Sequence, residues 1–409
     1  MKIKITNCIN AKGEKTEIYI DGDSFVSPFG NPDCEIDAHG MYALPGLADI
    51  HVHFRDPGQT AKEDIMSGAK AAASGGVTTV LAMPNTAPPV DNPDILSDIV
   101  SRVKSADIRI YQAACITKQM KSEELTDFDT LKNAGAAAFS DDGLPVRSDD
   151  LMRKALIKAA ALNLPVCSHS EVLSLAENGK VNEGEVSETL QVKGMPREAE
   201  YKAIEREIEL CEESGAPLHI CHVSTTESID LVRKAKKRGV SVTCETAPHY
   251  FTFTEKAVLC RDADYRMNPP LRADADKQAV IEGLKDGAID CIATDHAPHT
   301  SQDKADFEAA PNGVIGLQTA LSASYTALVK TGVLTMQDLV RVMSENPLKI
   351  AHLDGGSDLI LFDPCEVWVV EKENLAGKSK NTPFKGMELH GKVKMTICRG
   401  KIVYEDKEI

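Results

Sequence analysis

The chain lacks the features that mark a membrane, secreted or nucleic-acid-binding protein. It has no run of about 18 apolar residues, so no membrane span is expected. Its opening, MKIKITNCIN, has no apolar stretch after the basic start, which predicts no secretory signal. Lys and Arg number 46 against 62 Asp and Glu, a formal net charge of -16, which argues against the basic face a nucleic-acid binder needs. A small anionic substrate stays open, because a few local cations can hold one inside an acidic protein. C-x-x-C pairs are missing, and the 11 cysteines are scattered, several of them inside apolar runs (Cys115, Cys167, Cys221, Cys244, Cys291). That predicts reduced thiols used as small core residues in a cytoplasmic protein, not a disulfide scaffold. Low-complexity segments and short repeats are absent too.

What is present is a long alternation. With 409 residues, 42% of them hydrophobic, the chain can bury a large core. Eight strand-like runs alternate with helix-like segments: LADIHVH (47–53), TTVLAMP (78–84), IRIYQAAC (108–115), AAAFS (136–140), PVCSH (165–169), PLHICH (217–222), VSVTCE (240–245) and IDCIATD (289–295). The helices carry their own punctuation. Thr60 and Glu63 have capping-box spacing before IMSGAKAAASGG, Ser148 can cap DDLMRKALIKAAALN, and Gly215 and Gly239 end two others. This pattern predicts an α/β protein with a closed (β/α)8 TIM-type barrel over 46–350, an open doubly wound sheet being the alternative. Residues 1–45 and 351–409 read as strands and turns. They predict a small β-sandwich domain built from both termini.

The chemistry starts at HVHFRDPG (51–58). Side chains of a strand alternate, so Asp49, His51 and His53 are expected on one inward face at the C-terminal end of the first strand, where barrel enzymes keep their chemistry. Other strands end alike: the fourth runs into SDDG (140–143), the fifth ends in His169, the sixth in His222 and the eighth in Asp295. A closed barrel gathers these into one mouth. Four histidines and two or three carboxylates exceed one tetrahedral site and suit two metals with a shared ligand. Nitrogen and oxygen donors without thiolate suggest zinc, with manganese or cobalt as substitutes. Cys221 is expected to face away by alternation, and Cys167 to lie deeper than His169.

Together with MPNT (83–86), SHSE (168–171), HICHVST (219–225), NPPLR (268–272), ATDHAPHT (293–300) and SDLILFDP (357–364), these segments resemble the dihydroorotases of the amidohydrolase superfamily, class I bacterial type, over essentially the whole chain. The resemblance implies reversible cyclisation of N-carbamoyl-L-aspartate to L-dihydroorotate in pyrimidine biosynthesis. It implies two Zn2+ per subunit: His51, His53 and Asp295 on one, His169 and His222 on the other, and Asp142 as the bridge in preference to Asp141. Sister enzymes such as hydantoinases and allantoinases carry a carbamylated lysine at the end of strand four. FSDDG has none, and Lys132 falls in the preceding helix. A hydroxide between the metals would attack the ring carbonyl, with Asp295 as general acid/base.

Such a substrate keeps one carboxylate intact, and Arg55, held by the Asp-Pro-Gly turn, can grip it in a bidentate manner. The resemblance adds Asn85 and His299 to that clamp and places Asn268, Asn312 and Gly313 against the ring; His53 also faces the substrate. Relatives often carry an aromatic residue where this chain has Asn312. TSQDKADFEAAPN (300–312) reads as a mobile gating loop with a trypsin site at Lys304. His39, His352 and His390 lie outside the motifs, His219 and His249 are expected as supporting or core groups, and His296 should face away from the metals. The resemblance further implies a homo-oligomer, with association with aspartate transcarbamoylase. The rival readings are a sister cyclic amidohydrolase and a non-catalytic dihydroorotase-like scaffold.

Overall fold

The structure, a computed structural model, describes residues 1–406. All eight expected runs contain parallel strands in the expected order. Strand one (Leu47–Val52) pairs with strand two (Val77–Ala82), two with three (Arg109–Ala114), and three with four (Ala136–Phe139). Strands five (Cys167–Ser168), six (Leu218–Ile220), seven (Val242–Thr246) and eight (Cys291–Ile292) form a second parallel set. Single bridges join the sets, Phe139 with Val166 and Val52 with His296.

Two apolar layers result from strand alternation. Ile50, Leu81, Ala113, Ala138, Cys167, Cys221, Cys291 and Ala293 pack together on the inner side. Alanines and cysteines suit a narrow interior that large side chains would overfill. Val80, Phe139, Val166, Ile220 and Ile292 pack outward, in the same cluster as the helices' apolar faces.

Helix ends follow local chemistry. Ser148 accepts from Leu151 N at 3.3 Å to start Asp149–Ala161, and Thr225 accepts from Ser228 N at 3.3 Å to start Thr226–Lys237. The first helix, Ile65–Ser74, departs from the expected pair. Asp64 is its cap, accepting from Ser67 N at 2.8 Å, while Ser67 Oγ accepts from Asp64 N at 3.0 Å. Glu63 is drawn off because its buried Oε1 accepts from Ser67 Oγ and, at 3.2 Å, from Lys378 N.

Strands from both ends of the chain build one eight-stranded hydrogen-bonded sheet. The two ends meet where Tyr42–Pro45 runs antiparallel to Leu359–Val369. Ile3, Ile5, Ile20, Leu361, Met395 and Ile397 bury against one another in it. The sheet docks on the first helix through Thr396 Oγ1 donating to Ala73 O at 2.7 Å. It docks on strand three through Arg109, whose Nε lies 3.2 Å from Asp358. All 11 cysteines are free thiols. Among the described residues no helix is long and apolar enough to cross a membrane.

Candidate metal centre

Strand one does not alternate cleanly. Its pairing with strand two shifts register between Asp49 and Val52. Ile50 packs inside the ring, and His51 also points inward. Asp49 therefore leaves the face it was expected to share. It accepts from Thr294 Oγ1 at 2.5 Å, Thr294 N at 3.1 Å and His51 N at 3.0 Å, clasping strand eight to strand one. A bulge re-aims the side chains that follow it, which period-two counting cannot anticipate.

Asp142 sits at the centre of the four histidines. Its carboxylate is 3.2 Å from His51 Nε2, 3.4 Å from His53 Nε2, 3.7 Å from His222 Nε2 and 3.8 Å from His169 Nδ1. Burial alone would raise its pKa, but His51, His222 and His53 hold it well below the usual carboxylate range. Asp295 Oδ1 is 3.1 Å from His53 Nε2 and 3.7 Å from His51 Nε2. Asp141 is engaged elsewhere, accepting from Ile116 N at 2.8 Å and from Thr117.

For three of the histidines the nitrogen away from this centre is tied down. His51 Nδ1 faces Glu245 Oε1 at 2.5 Å, His53 Nδ1 faces Asn85 Oδ1 at 2.8 Å, and His169 Nε2 faces Glu171 Oε2 at 2.9 Å. Each partner takes the ring proton and leaves the other lone pair aimed inward. Glu245 also accepts from His219 Nε2 at 3.1 Å. Glu245 and Glu171 were not picked out from the sequence. Both lay in plain view, Glu245 as the end of VSVTCE and Glu171 as the last residue of SHSE.

His222 and Asp295 reach the centre from left-handed backbone, φ 36° and 47°. Cys221 consequently does not face away as alternation predicts. It packs inside the ring with Cys167, and the left-handed turn at His222 brings the next side chain to the mouth as well.

A cavity of about 360 Å³ opens above the centre. It is lined by His53, Arg55, Asn85, Asp142, His169, His222, Asn268, Asp295, His299, Asn312 and Gly313, together with Gln59 and Lys62, which the motifs did not single out. Arg55 is buried at φ 58°, and among the described residues the one hydrogen-bond acceptor its guanidinium meets is Pro298 O, 3.3 Å from Nε. A buried cation with unclaimed donors is poised for an anion. His299 Nε2 donates to Asn312 O at 2.9 Å; burial and the nearby Arg55 push its pKa down to about 3. Asn312 turns its side chain to Arg266, accepting at 2.9 Å, so it offers the cavity mainly backbone. Asn268 Nδ2 donates to Glu171 at 3.2 Å. Gly313 has φ 129°, and a Cβ there would come within 3.0 Å of His299 Nε2.

The segment 300–312 is anchored at two points. Lys304, the expected cleavage site, is half-buried with Nζ donating to Ala263 O, Arg266 O and Pro311 O at 2.9–3.2 Å, and Phe307 is buried. His296 faces away from the centre, toward Glu63 and Gly316 N. His249 is a core group set edge-on to Tyr250, ring centroids 4.2 Å apart.

The donor set fits a metal. His51 Nε2 and Asp142 Oδ1 are buried 3.2 Å apart but out of hydrogen-bond geometry, and among the described residues neither has a hydrogen-bond partner, an arrangement that is costly unless a cation completes it. Ligand atoms of His51, Asp142 and His222 lie within 4.8 Å of one another, as do those of His51, His53 and Asp295.

Parallel strands carrying histidines and carboxylates at their ends define a metal-dependent α/β hydrolase. Two solved structures share the fold. One is an L-hydantoinase (dihydropyrimidinase) from Arthrobacter aurescens, TM-score 0.89 at 24% identity over 98% of this chain and 96% of that one. The other is a dihydropyrimidinase from Brevibacillus agri, TM-score 0.86 at 24% identity over 100% and 96%. A family model described as dihydro-orotase-like matches residues 40–228. The chain is 47% identical to a dihydroorotase of Citrifermentans bemidjiense over 94% of its own length and 92% of the relative's. It is 45% identical to one of Clostridium acetobutylicum over 96% of each. The chain belongs to the dihydroorotase family, hydrolases of cyclic amides in pyrimidine biosynthesis.

Proposed function

We propose that this chain interconverts L-dihydroorotate and N-carbamoyl-L-aspartate at the cavity above Asp142. The observation that carries the reading is Arg55. Its guanidinium is buried with unclaimed donors at the rim of a cluster built for metal, and a cyclic amide bearing a carboxylate satisfies both at once. Asn85, whose Oδ1 is spent on His53, has its amide N–H groups left for the same carboxylate. Asn268 and the backbone at Asn312–Gly313 line the place of the ring.

His51, His53 and Asp295 would hold one zinc and His169 and His222 a second, with Asp142 between them; the metals supply activation of water and polarisation of the ring carbonyl. No lysine is needed at the bridge. Asp142 fills that place, and Lys132 Nζ is spent on Leu162 O at 2.6 Å. Asp295 moves the proton. Its Oδ1 faces His53, while Oδ2 has no protein donor among the described residues and is free to take a proton from water and deliver it to the ring nitrogen as the C–N bond breaks. The reverse path closes the ring with the same group.

The ring of parallel pairings supports a closed (β/α)8 barrel over 46–350, and the shared apolar cluster of the end strands supports a β-sandwich from 1–45 and 351–406, residues 407–409 of the expected domain lying outside the described residues. The free thiols support a reducing, cytoplasmic setting. A homo-oligomer that associates with aspartate transcarbamoylase is the assembly in keeping with the family resemblance.

Zinc-loaded protein should consume L-dihydroorotate, read as absorbance loss near the ultraviolet edge, and leave dihydrouracil untouched. Asp295→Ala should abolish that turnover. Turnover of dihydrouracil instead would favour a sister amidohydrolase, and metal binding with neither turnover would favour a scaffold.

A further inference from the structure

The segment between the last two long strands, Leu359–Val369 and Glu388–Cys398, crosses from the end-strand sheet to the rim of the catalytic cavity. Its stretch GKSKNT (377–382) touches the loops that carry Arg55 and His299. On one side, Asn381 is buried and makes four hydrogen bonds to a single pair of loops. Its Nδ2 donates to Ala297 O at 3.2 Å and Gly313 O at 3.1 Å, its Oδ1 accepts from His299 N at 3.1 Å, and its carbonyl accepts from Ile315 N at 3.0 Å. On the other side, Ser379 Oγ donates to Lys62 O at 2.6 Å, Lys378 Nζ donates to Thr60 O at 2.7 Å, and Lys378 N donates to Glu63 Oε1 at 3.2 Å. The approach is close enough that a Cβ on Gly377 would lie 2.6 Å from Glu63 Oε2.

We infer that this strap sets the affinity of the site for its anionic substrate, with Asn381 as the positioning residue for His299 and Gly313. The inference rests on the reading of Arg55 and His299 as a carboxylate clamp. Arg55 and Lys62 lie on one loop, His299 and Gly313 on two others; Arg55 Nε reaches Pro298 O at 3.3 Å, Lys62 Nζ lies 3.8 Å from Asp303, and His299 Nε2 donates to Asn312 O at 2.9 Å. The strap adds buried hydrogen bonds to both sides and so braces these contacts from behind. A two-donor, one-acceptor side chain is required at 381, because two carbonyls and one N–H converge on it. Asp is nearly isosteric but lacks the donors, so in Asn381→Asp a carboxylate would face the carbonyls of Ala297 and Gly313.

The test compares Asn381→Asp and Ser379→Ala with the parent, all metal-loaded, for L-dihydroorotate kinetics, metal content and inhibition by orotate, a planar ring with the same carboxylate. Losing two buried hydrogen bonds should raise KM and the orotate inhibition constant about tenfold or more in Asn381→Asp, with kcat within about threefold and metal content unchanged. Ser379→Ala, which removes one bond farther from the cavity, should raise both constants about threefold, and it carries the test if Asn381→Asp does not fold. KM and inhibition constant unchanged in folded variants would overturn the inference, as would a fall in kcat together with metal loss. A parent protein that neither turns over dihydroorotate nor binds orotate would overturn the underlying reading of the clamp instead.

Discussion

Glu245→Gln tests how the metal centre is built. The carboxylate ends strand seven, is buried, and accepts from His51 Nδ1 at 2.5 Å and His219 Nε2 at 3.1 Å. Burial favours its neutral form, but His51 and His219 outweigh that and hold it far below the usual range, so it is an anion at neutral pH. Gln keeps the shape and loses the charge. Its carbonyl can serve one histidine; its amide then points N–H at the N–H of the other, a donor facing a donor among buried groups. A hydrogen bond to a charged group contributes about 1.5–3 kcal/mol, so the loss corresponds to roughly 10–100-fold in the metal affinity of the pair His51 and His53. Metal retained against a competing chelator after equilibrium dialysis measures it directly. Fluorescence-monitored urea unfolding of the metal-free protein should show a much smaller change, since the substitution conserves volume. Retention of metal within about twofold would refute the argument and mean that packing inside the ring orients His51.

Arg55→Met should do two opposite things. Removing a buried guanidinium that meets a single hydrogen-bond acceptor among the described residues should stabilise the free protein by about 1–3 kcal/mol, read as a higher melting temperature, while KM for dihydroorotate rises about 100-fold. A melting temperature that falls would mean the guanidinium is satisfied in the free protein. His299 gives a pH signature. Its folded pKa of about 3, set by burial and Arg55, lies below the unfolded value near 6.5, so the unfolded chain binds the extra proton between them. The neutral form's stability is fully present above about pH 6.5 and is lost as pH falls toward 3, about 3 kcal/mol by pH 4.5. Urea unfolding of His299→Gln should lack that part of the acid slope; an identical slope in both proteins would refute the assignment.

Asp295, His53, His169 and His222 were legible because each ends an apolar run, and His51 because it stands two before His53; a run's end is a local property. Asp142 was separable from Asp141 by resemblance alone; the structure separates them physically, because Asp141 is committed to Ile116 and Thr117. Asp49 and Cys221 misled for one reason. Strict alternation assumes regular backbone, and this site is built on a register shift and on left-handed residues. Irregular backbone of this kind concentrates where side chains must converge, and so where periodicity is least informative. What holds the loop 300–312 was not legible either, because Lys304 and Phe307 are secured by partners far away in the chain.

By itself the sequence determined the order of elements, the ends of the strands, and the residue types offered to the metal and the substrate. These follow from hydrophobic period and residue chemistry, which are written locally. Tertiary structure alone decided which side chains turn toward one another. Glu245 reached His51 across 194 positions, and Asn381 reached His299 across 82. Such pairings form only when closure of the fold excludes water and leaves each buried donor to find the one acceptor within reach.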